Sequence, residues 1–104
     1  MLAKIQLDND RSVYEINATL VADHRAKKIA KKHADPMIIA YSITYSEVFD
    51  EALASEQILG EWIKSSMTWE NIQANAHLIS GEKTVPDLKT VKLTFIPKAE
   101  PATK

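Results

Sequence analysis

The residues from Asp23 to His33, DHRAKKIAKKH, hold five basic side chains, one acid and two histidines. A row of cations along a helix is the chemistry of phosphate binding, where each neutralised phosphate releases counterions. Arg25, Lys27, Lys28, Lys31 and Lys32 are the residues that would do it. No aromatic interleaves them to stack on bases, and no Asn, Gln or Ser sits among them to read base edges. The segment therefore reads as the solvated face of an amphipathic helix. A weak nucleic-acid-binding module using residues 24–33 is the alternative.

The remaining reactive residues are scattered. His24 and His33 lie nine positions apart, roughly half a turn around a helix, so they cannot share a metal, and His77 belongs to another element. Zinc needs three or four convergent ligands, so no metal and no cofactor is expected. Asp8 and Asp10 in DND lack the glycine and distal glutamate of a calcium loop and read as a turn. There is no cysteine and no G-x-S-x-G, Ser65 and Ser66 have no histidine nearby in sequence, and Gly60 and Gly81 stand alone. Glu47, Asp50, Glu51 and Glu56 form an acidic cluster. An enzyme whose site is assembled from such acids and His77 is the catalytic alternative, but the chain is expected not to be an enzyme. Trp62, Met67 and Trp69 bracket one helix junction. They read first as core, because tryptophans bury large area. Their alternative role is a partner-binding patch.

Composition narrows the function classes. With a formal net charge of −1 the whole molecule has no field that steers toward nucleic acid or an acidic membrane. A chain of 104 residues is one domain by size and, at 45% hydrophobic, buries roughly two-thirds of its unfolded surface. The lack of cysteine suits a reducing, cytoplasmic setting. MLAKIQLDNDRSVYEI alternates instead of running apolar, which predicts neither a signal peptide nor a membrane span.

The elements follow from periodicity. Ala3, Ile5 and Leu7 alternate with polar residues, DNDR is turn chemistry, and Tyr14, Ile16, Ala18 and Leu20 resume the alternation, so the chain opens on a hairpin. Asp23 is the expected N-cap of a helix whose stripe of Ala22, Ala26, Ile29, Ala30 and His33 faces a sheet, and Asp35-Pro36 ends it. MIIAYSITYSEVF, Met37 to Phe49, places Ile39, Tyr41, Ile43, Tyr45 and Phe49 at one parity and predicts a long strand. Its end falls near residues 49–54, where Phe49 and Leu53 are also helix-spaced. Ser55 opens a helix with Ile58, Leu59, Trp62 and Ile63 as its stripe, and Thr68 caps a short one. HLIS and the alternation of Val91, Leu93 and Phe95 give the last strands. The predicted fold is α+β: a single antiparallel-rich sheet with helices packed on one face, in the order β-β-α-β-α-α-β-β. It forms a single domain over residues 1–96, with a flexible C-terminal tail over 97–104.

EWIKSSMTWENI, Glu61 to Ile72, resembles small uncharacterised proteins of tailed bacteriophages, marine ones included, which carry W-x-x-x-x-M-x-W-[DE]-x-[IV] in a helix after a strand-strand-helix-strand start. Trp62, Met67, Trp69, Glu70 and Ile72 stand at those positions, and ATLVADHRAKKIAKKH is similar to the first helix of those proteins. The resemblance covers about two-thirds of the chain. It implies a phage-derived protein in infected host cytoplasm and no activity or site residue. The expectation is a small non-enzymatic accessory protein that binds a macromolecular partner and forms a weak-to-moderate homodimer. The dimer would use the thinly guarded first strand or the surface of Trp62 and Trp69. The last strand, guarded by Lys89, Lys92, Pro97 and Lys98, is expected at a sheet edge.

Overall fold

The structure, a computed structural model, describes residues 1–35 and 37–98. Residues 99–104, most of the predicted tail, lie outside the described residues, as does Pro36. Strand β1 (Leu2–Asp8) and β2 (Ser12–Asn17) form the opening hairpin. Its turn is closed as the DND residues require. Asp8 accepts from the Asp10 amide at 2.9 Å, Asn9 accepts from the Ser12 amide at 2.8 Å, and Asp10 takes the left-handed conformation at φ 73°. Four helices follow: α1 (Ala18–His33), α2 (Ile39–Leu53), α3 (Glu56–Ser66) and the short α4 (Trp69–Ile72), which continues into a single 3₁₀ turn, Gln73–Asn75. Strands β3 (His77–Gly81) and β4 (Lys92–Pro97) complete an antiparallel sheet of order β3-β2-β1-β4.

The fold class is α+β, with one antiparallel sheet and helices on one of its faces. Ile5, Leu7, Tyr14 and Ile16 point inward to meet Val21, Leu53, Leu59, Ile63 and Ile72 from the four helices. The other face is wet, and Lys4 bridges to Glu15 across it at 3.2 Å. Ser55 caps α3 as predicted, accepting from the Ile58 amide at 3.2 Å. Strand β4 is an edge, as its lysines foretell. Strand β1, expected to be open, lies inside the sheet between β2 and β4. The predicted tail begins later than 97, because Pro97 pairs with Leu2 and the Lys98 amide donates to the Met1 carbonyl at 2.7 Å.

Two elements correct the sequence reading. Helix α1 begins at Ala18, five residues before the expected cap, and Asp23 lies in its second turn. The predicted strand Met37–Phe49 is instead helix α2, so the third strand of the expected order is absent and the buried stripe of α1 meets a helix. The physical reason is the alanine row. Ala18, Ala22, Ala26 and Ala30 are all fully buried and four residues apart, a smooth ridge that lets a second helix lie close. Helix α2 answers with Tyr41, Tyr45 and Phe49, also four apart and stacked along its surface at 6.4 and 5.7 Å between ring centres. The phenol of Tyr45 donates to Asp23 across the seam, and Arg25 of α1 reaches Glu51 of α2 at 3.5 Å.

The hairpin of α1 and α2 reaches past the core. The main hydrophobic cluster takes in α1 only as far as Ala22 and α2 only from Phe49, and Ala26 and Ala30 are buried beyond it. The radius of gyration is 14.8 Å, against about 13 Å for a compact chain of this length. Among the described residues no helix is long and apolar enough to cross a membrane.

Candidate binding surface

At the free end of the hairpin, a connector folds back on Asp35. Its carboxylate accepts from the Met37 amide at 2.9 Å, and its carbonyl accepts from the Ile38 amide at 2.9 Å. This turn and the first two turns of α2 hold four large apolar side chains in solvent: Met37 (92% exposed), Ile38 (54%), Ile39 (77%) and Ile43 (55%). Scattered apolar residues are normal on a surface, but a contiguous cluster marks an interaction site. A helix turns about 100° per residue, so Ile39 and Ile43 stand on the side of α2 opposite Tyr41 and Tyr45. The stripe continues at the same spacing into Ser46 and Asp50, with Glu47 beside it, all exposed. The outer face of α2 thus begins apolar at the tip and ends acidic at the base.

The basic row of α1 is thinner than its sequence promises. Arg25 is withdrawn toward Glu51, and its guanidinium Nη1 is buried. Lys27 pairs with Asp23 one turn back at 3.1 Å. Lys28, Lys31 and Lys32 remain, exposed and without an ion pair among the described residues. His33 is exposed rather than part of the buried stripe.

The aromatic residues near the α3–α4 corner do not form one patch. Met67 is buried. Trp62 packs toward α1 and donates its indole N–H to His24 Nδ1 at 2.9 Å. Trp69 turns the other way, edge-on to Tyr14 at 4.9 Å. Because Nδ1 accepts, the neutral imidazole carries its proton on Nε2. Burial, reinforced by Lys28, holds the His24 pKa below the ordinary histidine value. The phenol of Tyr45 is pushed up to about 12 by burial and by the Asp23 carboxylate it donates to. It stays protonated and is no general base.

The residues of the catalytic alternative are kept apart. His77 pairs with Glu15 on the wet face of the sheet. Glu47, Asp50 and Glu51 ride on α2 and Glu56 starts α3, both on the opposite face. Among the described residues no group of three His, Asp or Glu side chains is placed to hold a metal ion. Two cavities flank the sheet. A groove of about 800 Å³ is lined by Tyr14, Trp69, Leu78 and Val85 among others, and a cleft of about 670 Å³ by Asp8, Asp10, Arg11 and Asp87. Neither is lined by a histidine. Between them Tyr14 is occupied structurally: its hydroxyl donates to the Thr84 carbonyl at 2.8 Å and accepts from the Thr84 amide at 3.0 Å, pinning the loop before β4.

Comparison of the chain with protein-family models, with curated proteins and with solved structures finds no match.

The tip surface was not legible as a surface in the sequence, because a strand reading buries Ile39 and Ile43 alongside Tyr41 and Tyr45. The available signal was the 4-3-4 spacing of Ile39, Ile43, Ser46 and Asp50.

Proposed function

We propose that this protein is a small accessory protein that acts by binding a macromolecular partner at the tip of the α1–α2 hairpin. The observation that carries the reading is the outward cluster of Met37, Ile38, Ile39 and Ile43 on a hairpin that extends beyond the core. Exposed apolar area of this kind is unfavourable in water and favours whatever covers it. Near the groove and the cleft, Asp8, Asn9, Tyr14, Thr84 and Asp87 are engaged in turns and loop pinning, which supports binding over catalysis. The resemblance of EWIKSSMTWENI to tailed-phage proteins supports a phage-derived role in infected cytoplasm.

A photo-crosslinking amino acid placed at position 39 tests the reading, with position 64 on the exposed side of α3 as control. Discrete adducts from position 39 and none from position 64 are expected on irradiation of cells producing the protein. Equal labelling from both positions, or none from either, overturns the binding role of the tip.

A further inference from the structure

We propose that the outer edge of β3 pairs with a short extended segment of another protein, which carries an apolar side chain and a carboxylate two residues apart and seats both in the groove beside that edge. This surface is separate from the tip of the hairpin. Strand β3 ends the sheet, and all five of its residues, His77 to Gly81, are exposed. Along its outer side the backbone donors and acceptors have no strand to meet among the described residues, and an extended chain is the ligand that pairs such groups in a row. The two edges of the sheet differ. Strand β4 carries Lys92 and Pro97 and is flanked by Lys89 and Lys98, the residue types that keep another strand away. Strand β3 carries neither lysine nor proline, and its Leu78 and Ile79 stand in solvent.

The groove of about 800 Å³ adjoins this edge, because Leu78 of β3 lines it together with Tyr14, Trp69 and Val85. Its charge is of one sign. Lys83 is the single charged side chain among the lining residues, and no acid is present. Lys83 makes no ion pair among the described residues, so an anionic group is what the groove lacks. An added strand lies about 4.8 Å beyond β3. Leu78 pairs with Tyr14 and shares its helix-covered face, so side chains of the added strand on that face fall beside Leu78. Residues two apart on a strand point the same way. An apolar side chain settled against Leu78 and Trp69 therefore leaves the carboxylate on the same face, toward Lys83. Strand β3 is bulged: Val13 faces Ser80 and Tyr14 faces Leu78, which leaves Ile79 without a partner. The bulge limits regular pairing to a short segment. It also disfavours a second copy of this chain. Two β3 strands paired about Ile79 would set bulge against bulge and bring no acid to Lys83.

Nuclear magnetic resonance titration of the isotope-labelled full chain provides the test. The probes are acetyl-Thr-Leu-Thr-Glu-Thr-amide and acetyl-Thr-Glu-Thr-Leu-Thr-amide, one for each strand direction. One of the two is expected to shift the β3 amides and the Trp69 indole N–H to saturation and to leave the β4 amides in place. Methylation of alternate peptide amides should abolish binding in one phase and spare it in the other, because alternate residues of an added strand face its neighbour. Glu replaced by Gln in the peptide, or Lys83→Gln in the protein, should each weaken binding about threefold to fivefold, the range of an exposed ion pair. The two changes together should cost no more than either alone. Saturable binding by neither peptide, equal loss from both methylation phases, or a Gln peptide that binds as tightly as its Glu parent overturns the proposal. Shifts of the Trp69 indole with the β3 amides unmoved would overturn strand addition and give the groove to small ligands. Shifts of the β3 amides that follow the concentration of the chain alone would give the edge to a second copy instead.

Discussion

Substituting Ala26→Leu tests the close contact on which the hairpin depends. Ala26 is fully buried in the middle of the alanine ridge, where α1 runs against α2. Leucine adds three carbons at a position with no free space. Either the new side chain leaves its preferred rotamer or the helices separate, and overpacking of this kind costs about 1–3 kcal/mol. For a domain of about this size each kcal/mol lowers the melting temperature by roughly 4–8 °C, so a fall of roughly 4–20 °C is expected. Lys27→Leu is the matched control. It places the same leucine one residue away, on the exposed side, and loses only the exposed pair with Asp23, worth about 0.3–0.5 kcal/mol. Thermal melting followed by circular dichroism reads both. If Ala26→Leu melts with the wild type, or no lower than Lys27→Leu, the α1–α2 seam is not close-packed and the position of the tip loses its support.

The two glycines should respond with opposite signs. At Gly60, inside α3, an added Cβ would lie at ordinary contact from Phe95 (3.5 Å) and Leu93 (3.6 Å), so Gly60→Ala should raise stability by about 0.5–1 kcal/mol in urea titration. At Gly81 φ is +87° and a Cβ would sit 2.0 Å from the Arg11 carbonyl oxygen, so Gly81→Ala should cost about 1–3 kcal/mol from strain alone and more from the clash. His24 gives a pH dependence. Its folded pKa lies below 6.5, so the unfolded chain binds the proton more readily. The stability contributed by neutral His24 is complete above pH 6.5 and is lost as pH falls through the folded value. Protonation also removes the Nδ1 acceptor of the Trp62 indole, so melting of the wild type should fall between pH 7 and pH 5 more steeply than that of His24→Gln. Parallel profiles would remove His24 as the cause.

What could be read from the sequence was set by local chemistry with one outcome. Asp8 and Asn9 accept from backbone amides of their own turn, and Asp10 takes its left-handed conformation. Ser55 has a free amide to cap. Val91, Leu93 and Phe95 alternate with Lys92 and Thr94, a spacing of two that puts apolar residues on one face of a strand and on opposite faces of a helix. Both corrections arose where the local pattern has two outcomes. A spacing of four residues is a helical stripe, and it is also an even spacing, so it satisfies strand alternation. Ala18 extends the parity of Tyr14 and Ile16, and it also begins the ridge of Ala22, Ala26 and Ala30. Tyr41, Tyr45 and Phe49 are ambiguous in the same way. β-branched and aromatic content tips such a segment toward a strand on propensity alone. Tertiary packing decided otherwise, because an alanine ridge gains most from a close helix.

The consequence reaches the functional surface. On a strand, Ile39, Tyr41, Ile43 and Tyr45 would share one face, and all would be core. On a helix, two residues are about 200° apart, so the same four side chains divide between opposite faces. Tyr45 turns inward to bond Asp23, and Ile39 and Ile43 turn out into solvent. The tip therefore exists only because the alanines of α1 impose the helical period on α2. A change that loosens that ridge should weaken binding at the tip even when it leaves every tip residue in place. Ala26→Leu accordingly carries a second expected outcome. Its adducts from a photo-crosslinker at position 39 should fade under conditions where those of Lys27→Leu persist, and irradiation of the two variants side by side checks it. Equal labelling by both would separate the tip from the seam and refute the dependence of one on the other.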